Sequence, residues 1–234
     1  MSRVYRAVVF DLFGTVVHFH GRPDPQVGWL RGPFEAHCPG ADFEAFRRAL
    51  IDVSRALAAE RLVDHREVAS AERFRRALAQ LGRADPAAAE ALSAAHMAEI
   101  AARTHLPDGH AAVLAALAAR HRLGLVSNFD HAPTAHAVLA RHGVAQHFET
   151  TLISHAFGRR KPHPAIFAAA LAALDVPAEA ALYVGDTHAD DVVGAHAAGM
   201  DVAWISPVEP PPGALAPTHR ITRLDELPAL LGQP

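Results

Sequence analysis

Lysine is almost missing from this chain: of twenty-two Lys and Arg side chains, Lys161 alone is lysine. Cysteine is as scarce, and the single Cys38 excludes an intramolecular disulfide, which suits a reducing compartment. Long apolar runs are lacking as well. Val4 to Phe10, interrupted by Arg6, is too short for a signal-peptide core with a cleavage site, and nothing approaches the roughly 18 apolar residues of a membrane span. A cytoplasmic chain with no membrane partner is the expectation. Charge of one sign is not in excess either: the net charge is −3 and the arginines are scattered among acids, so no nucleic-acid partner is expected.

What is present is a folding composition. With 234 residues, 50% hydrophobic and 20% charged, the chain has enough apolar surface for one large or two smaller domains, as a monomer or a homodimer. Seventeen histidines will swing the net charge positive below about pH 6. His18 and His20 alternate, but a closed metal site needs three or four ligands and the pair has no further ones beside it.

Five short β-branched segments read as strands: 4–10, 123–127, 150–153, 182–185 and 202–205. Their continuous apolar character suits a sheet covered on both faces. Helical patterns lie at 109–121, 134–142, 164–174 and 190–198, with Asp108 placed as an N-cap and Gly143 and Gly199 as stops. This alternation predicts an α/β fold, a doubly wound parallel sheet. The interval 17–105 breaks it, holding helical patterns at about 43–62, 67–81 and 86–103 and no convincing strand. It reads as an inserted α-helical cap, leaving 1–16 and 106–234 as the core domain, and an insertion there falls at the carboxyl edge where open α/β sheets bind ligands. The proline-rich stretch 207–217 reads as a surface loop and 224–231 as a closing helix.

The chemistry sits at the strand ends. Asp11 follows the first strand, just before a turn containing Gly14 and Thr15; a carboxylate there could be a nucleophile, although strand-end aspartates also form turns and caps. The second strand ends in Ser127 and Asn128, whose hydroxyl and backbone N–H could donate to a ligand oxygen. The fourth ends in Gly185 and Asp186, followed by Asp190 and Asp191 at a helix start, where acids are also ordinary helix electrostatics. Asp11 with Asp186 offers the hard oxygens that magnesium takes. Lys161, before Pro162 and a helical pattern, would balance those carboxylates and a phosphoryl group.

These four segments, in this order, resemble the motifs of the haloacid-dehalogenase superfamily: Asp11, Gly14 and Thr15; Ser127; Lys161 with Pro162; Gly185, Asp186 and Asp191. The resemblance implies a Rossmann-like core, a nucleophilic Asp11, and Mg2+ held by Asp11, the main-chain oxygen of Phe13 and Asp186, with Asp191 supporting the metal site. It further implies phosphoryl binding by Ser127, charge stabilisation by Lys161 and a cap that closes over a small phosphorylated substrate. Gly14, Thr15 and Asn128 complete the expected substrate contacts.

One position departs from the pattern. Family phosphatases carry a second aspartate, the general acid, two residues after the nucleophile, and here that residue is Phe13. Proton transfer, worth about 10²–10⁴ in rate, must then come from the cap, from a histidine such as His18, His20 or His188, or be unnecessary. Three readings follow: a magnesium-dependent phosphatase with an undemanding leaving group or a borrowed acid, a 2-haloacid dehalogenase, or a phosphoryl-binding protein without turnover. The dehalogenase branch carries an aromatic residue at this position, but it is metal-free and uses a cap arginine after a Pro-Gly pair, where Pro39-Gly40 is followed by Ala41. Arg22, Arg31, Arg55 and Arg61 are cap candidates for substrate contact.

Overall fold

The computed structural model describes residues 4–21 and 27–232; Arg22 lies outside the described residues. In chain order the elements are β1 (Ala7–Phe10), β2 (His18–Phe19), α1 (Arg31–His37), α2 (Phe43–Asp64), α3 (Ser70–Gln80), α4 (Pro86–Ala102), β3 (Thr104–His105), α5 (His110–Ala118) and β4 (Arg122–Ser127). They continue with α6 (Ala132–Arg141), β5 (Thr150–Ile153), α7 (Ser154–Phe157), α8 (Pro164–Ala173), β6 (Ala181–Gly185), α9 (Val193–Ala197), β7 (Asp201–Ile205), β8 (His219–Ile221) and α10 (Leu227–Leu230).

Six strands form one parallel sheet in the order β5-β4-β1-β6-β7-β8. Because successive side chains point to opposite faces, each strand feeds two cores. Val8, Phe10, Leu123, Leu125, Leu182 and Val184 pack on one face, and Ala7, Val9, Val126, Tyr183 and Val202 on the other. The chain leaves β1 towards β4 and β5 and then crosses back to β6, so β1 is the switch point and the ends of β4, β1 and β6 lie side by side.

Helices α1 to α4 bury a separate apolar cluster that includes Phe34, Phe46, Leu57, Phe74 and Leu92. Asp42 and Asp85 cap α2 and α4, accepting from Glu44 N and from Ala87 N and Ala88 N, with Pro86 in the first turn. No described helix is long and apolar enough to cross a membrane.

The structure corrects several sequence expectations. The interval 17–105 does hold strands: β2 and β3 pair antiparallel where the chain enters and leaves the helices, two residues each and too short for an alternation signal. The helix expected from Asp108 starts at His110 after Gly109, whose φ of 83° takes the capping position without a side-chain bond. The helix expected from Asp190 begins with a wide turn, His188–Val192, before α9. The short elements β8, α1 and α7 were not anticipated, and the expected helix 224–231 narrows to a tight turn followed by α10.

Candidate active site

Asp11 directly follows β1, and its N–H donates to Val184 O at 2.9 Å, which extends the β1–β6 pairing by one residue. The turn that follows is tight. Gly14 has φ 87°, and a Cβ on it would lie 2.3 Å from Asp186 Oδ2, so the glycine is required both by its backbone and by the approach of that carboxylate. Gly185 is needed for a similar reason, since a Cβ there would meet Asp191 Cγ at 2.4 Å.

Lys161 is 2% exposed and lies among three polar partners. Its Nζ donates to Asp191 Oδ1 at 2.6 Å and to Tyr183 Oη at 2.9 Å, and stands 2.8 Å from Asp11 Oδ1. Burial alone would push the ammonium down, but Asp11 and Asp191 outweigh it and hold it above the usual lysine range. Burial raises the Asp11 carboxyl to about 7, against the opposing pull of Lys161 and with help from the Asp191 charge. Asp186 is raised in the same way, by burial first and by Asp191 next.

Asp191 is fully buried with both oxygens engaged: Oδ1 by Lys161 and Tyr183, Oδ2 by Thr187 N at 2.8 Å. Asp186 differs, because its Oδ1 is buried without a hydrogen-bond partner, while its main-chain oxygen accepts from Trp204 Nε1 at 2.8 Å. One oxygen from each of Asp11, Asp186 and Asp191 lies within 4.8 Å of the others. Three carboxylates facing one ammonium, with an unsatisfied oxygen among them, fit a hard divalent cation such as Mg2+.

The other expected residues fall around this centre in different ways. Ser127 ends β4 and is 1% exposed, and Thr15 is fully buried with its Oγ1 lacking a hydrogen-bond partner. The Asn128 side chain turns to the protein: Nδ2 donates to Lys161 O at 2.9 Å and to Asp190 Oδ2 at 3.0 Å, and Oδ1 accepts from Lys161 N at 2.7 Å. It therefore positions the lysine, and only its backbone N–H is left for a ligand. Phe13 packs its ring on Phe19 and Phe129. His18 and His20 lie at the β2–β3 ribbon against His105, and His188 Nε2 donates to Leu215 O and the ring packs on Trp204. His18 and His20 thus pack on the ribbon, whereas His188 stays near Asp186 through Trp204.

The loop between α2 and α3 is bonded to the core. Arg160 N donates to His65 O at 2.9 Å, Glu67 N to Gly158 O at 3.1 Å and Ser70 N to Asp130 O at 2.9 Å. Within it the buried Glu67 accepts from Ser154 Oγ at 2.5 Å and from Arg61 Nη2 at 2.8 Å. Of the candidate cap arginines among the described residues, Arg61 alone joins this interface; Arg31 pairs with Glu44 and Arg55 with Asp52 on the outside.

Sequence reasoning did not single out Tyr183 or Glu67. Tyr183 had a signal, a hydroxyl in the middle of an otherwise apolar buried strand, which must find partners. Glu67 had none, being one acid among many on a helical stretch.

A family model described as haloacid dehalogenase-like hydrolase matches residues 5–199. The chain is 38% identical over 84 residues to glyceraldehyde 3-phosphate phosphatase of Pyrococcus abyssi, covering 36% of this chain and 35% of that protein. It is 34% identical over 210 residues to phosphoglycolate phosphatase of Rhodospirillum rubrum, 86% of this chain and 79% of that one. Among solved structures, a 2-haloacid dehalogenase from Pseudomonas syringae superposes with a TM-score of 0.72 at 27% identity, covering 98% of this chain and 99% of that chain. The match to the Pyrococcus protein thus spans about a third of its length, whereas the family match takes in β1, β4, β6 and every residue around Lys161: the chain belongs to the haloacid dehalogenase-like hydrolases.

Proposed function

We propose that this hydrolase is a Mg2+-dependent phosphatase that acts on a small phosphorylated metabolite through an aspartyl phosphate on Asp11. The observation that carries the reading is the cluster of Asp11 and the unpartnered Asp186 oxygen beside a buried lysine. Mg2+ held by Asp11, Asp186 and the main-chain oxygen of Phe13 would neutralise charge on the phosphoryl group and orient it. Asp191, with both oxygens engaged, supports from behind by holding Lys161 and the Thr187 backbone.

In the first half-reaction an Asp11 oxygen attacks phosphorus and the ester oxygen leaves with its electron pair. Lys161 fixes the carboxylate and offsets the charge on the phosphoryl oxygens, with the Ser127 hydroxyl and the Asn128 N–H as further donors. In the second, water attacks phosphorus and Asp11 is released as carboxylate. Phe13 carries no proton, so the leaving oxygen departs unprotonated. The division into a core of 1–16 and 106–234 and a cap of 17–105 belongs to this reading, supported by the separate apolar cluster of α1–α4 and by the bonded loop between α2 and α3, which would exclude water from the site.

A second reading, a 2-haloacid dehalogenase, is favoured by the ring at Phe13 and by the likeness to the Pseudomonas syringae enzyme. Against it, Ala41 packs into the helical cluster where that branch would present an arginine. The test is turnover of a panel of phosphate esters and of 2-chloropropionate, each with magnesium and with chelator. Magnesium-dependent phosphate release supports the first reading; chloride release unaffected by chelator replaces it with the second.

A further inference from the structure

Three phenyl rings pack together, two of them on the chain segments that carry the site residues. Phe13 lies two residues after Asp11, Phe129 follows Asn128 beyond β4, and Phe19 is on β2. Phe13 stacks on Phe19 with centroids 5.2 Å apart and planes at 11°, and meets Phe129 at 4.8 Å. Phe13 and Phe129 are half-buried, while Phe19 is 41% exposed and is the one aromatic ring among the exposed large apolar side chains of the described residues. Phe19 thus carries the stack begun by Phe13, two residues after Asp11, out to the surface.

Phe19 also lines a cavity of about 260 Å³ with Trp29, His96, Ile100, Glu99 and Arg103, and that lining is almost wholly apolar. A dry apolar cavity of about 150 Å³ is enough to take benzene, so this one has room for an aromatic ring with substituents. The indole and imidazole within it lie nearly parallel, at 19°, and Trp29 Nε1 donates to His96 Nδ1 at 3.3 Å, which holds both as flat walls. Burial keeps His96 uncharged, its pKa pushed down to about 3, so the imidazole adds no cation to the lining.

We propose that Phe13, Phe19 and this cavity form a subsite for a planar apolar leaving group, so that the preferred substrate class is an aryl, or similarly flat, phosphate ester. The inference rests on the phosphatase reading and deepens it. One side chain then serves two ends: Phe13 removes the general acid and backs the open ring of Phe19, and an aryl oxide is a leaving group that spreads its negative charge over a ring and departs without a proton. Ring-on-ring contacts discriminate by roughly two- to tenfold each beyond the area they bury.

The test is calorimetric titration of the magnesium-loaded protein with three non-hydrolysable phosphonates: benzyl, cyclohexylmethyl and methyl. The expected result is benzylphosphonate binding roughly tenfold tighter than the cyclohexylmethyl analogue, which has similar bulk without a flat face. In Phe19→Leu, which keeps an apolar side chain in place, the benzyl to methyl affinity ratio should fall several-fold. Equal binding of benzyl and cyclohexylmethyl compounds, no binding of either, or an unchanged ratio in Phe19→Leu overturns the subsite. Hydrolysis of an aryl and a fluoroalkyl phosphate matched in leaving-group acidity separates the two claims. Turnover of both at the same rate keeps the phosphatase and refutes the subsite, whereas benzyl preference without any turnover keeps the subsite and refutes the phosphatase.

Discussion

Replacing Lys161 by methionine keeps the length of the stem and removes the ammonium from a site where it touches Asp11, Asp191 and Tyr183 at 2.6–2.9 Å and is 2% exposed. Taking one partner from a buried ion pair costs about 3–5 kcal/mol, because the other partner stays buried without compensation. For a chain of this size that is a fall of roughly 6–20 °C in Tm. The pH dependence has a definite sign. A carboxyl whose folded pKa is raised, as Asp11 is to about 7, favours the fold at low pH and loses that contribution as pH rises from its unfolded value near 4 through 7. Without Lys161 the carboxyls climb further, so the penalty against wild type should be smallest near pH 5 and largest near pH 8, and magnesium should restore part of it at pH 8. Urea unfolding of both proteins at the two pH values, with and without magnesium, measures this. A variant within about 1 kcal/mol of wild type at pH 8 without magnesium refutes the argument that Lys161 balances the buried carboxylates. Lys161→Arg should lose activity although charge is retained, since a planar fork cannot place one nitrogen against both Asp11 and Asp191.

Phe13→Asp should speed alkyl phosphates in preference to aryl ones by restoring a proton donor, by up to about 10²-fold, provided the carboxyl reaches the leaving oxygen; a flat dependence of wild-type rate on leaving-group pKa would show that a proton is already supplied. Gly14→Ala forces a side chain into a left-handed position, at about 1–3 kcal/mol, and its Cβ displaces Asp186, so magnesium affinity measured by titration should fall at least tenfold. His96, held neutral by burial and by the Arg73 charge, contributes stability that is complete above pH 6.5 and is lost as pH falls towards 3. Urea midpoints between pH 7 and 4 should drop less steeply in His96→Gln, by about one proton's slope, and parallel profiles would remove His96 from the account.

The parts of the site that could be read from the sequence are those where a polar residue interrupts or ends an apolar run. Asp11, Ser127 and Asp186 each come at the carboxyl end of a strand whose continuous apolar character marks a sheet buried on both faces, and the structure sets those three ends side by side. Lys161 stood out because nothing else in the chain is a lysine. Other features depend on three dimensions. Asn128 is expected to offer its backbone N–H, and what the sequence does not show is that its side chain folds back onto the Lys161 backbone and Asp190, a choice made by partners 33 and 62 residues away. Tyr183 is masked by the apolar run of its strand, Ala181–Gly185. The β2–β3 ribbon is too short to show a period, and it sets His18 and His20 against His105, while His188 packs on Trp204, the residue that bonds the Asp186 main-chain oxygen. At Asp108 two adjacent residues competed to start α5, and the positive φ available to Gly109 decided it.

The central claim, that Asp11 is phosphorylated during turnover, has a direct measurement: rapid acid quench of the enzyme with magnesium and a phosphate ester, followed by mass spectrometry of the peptide that carries Asp11. One added phosphoryl group is expected on Asp11, removed by hydroxylamine and absent in Asp11→Asn, which should stay folded and inactive. Turnover without that adduct, or an ester on Asp11 formed from 2-chloropropionate in the presence of chelator, would contradict it.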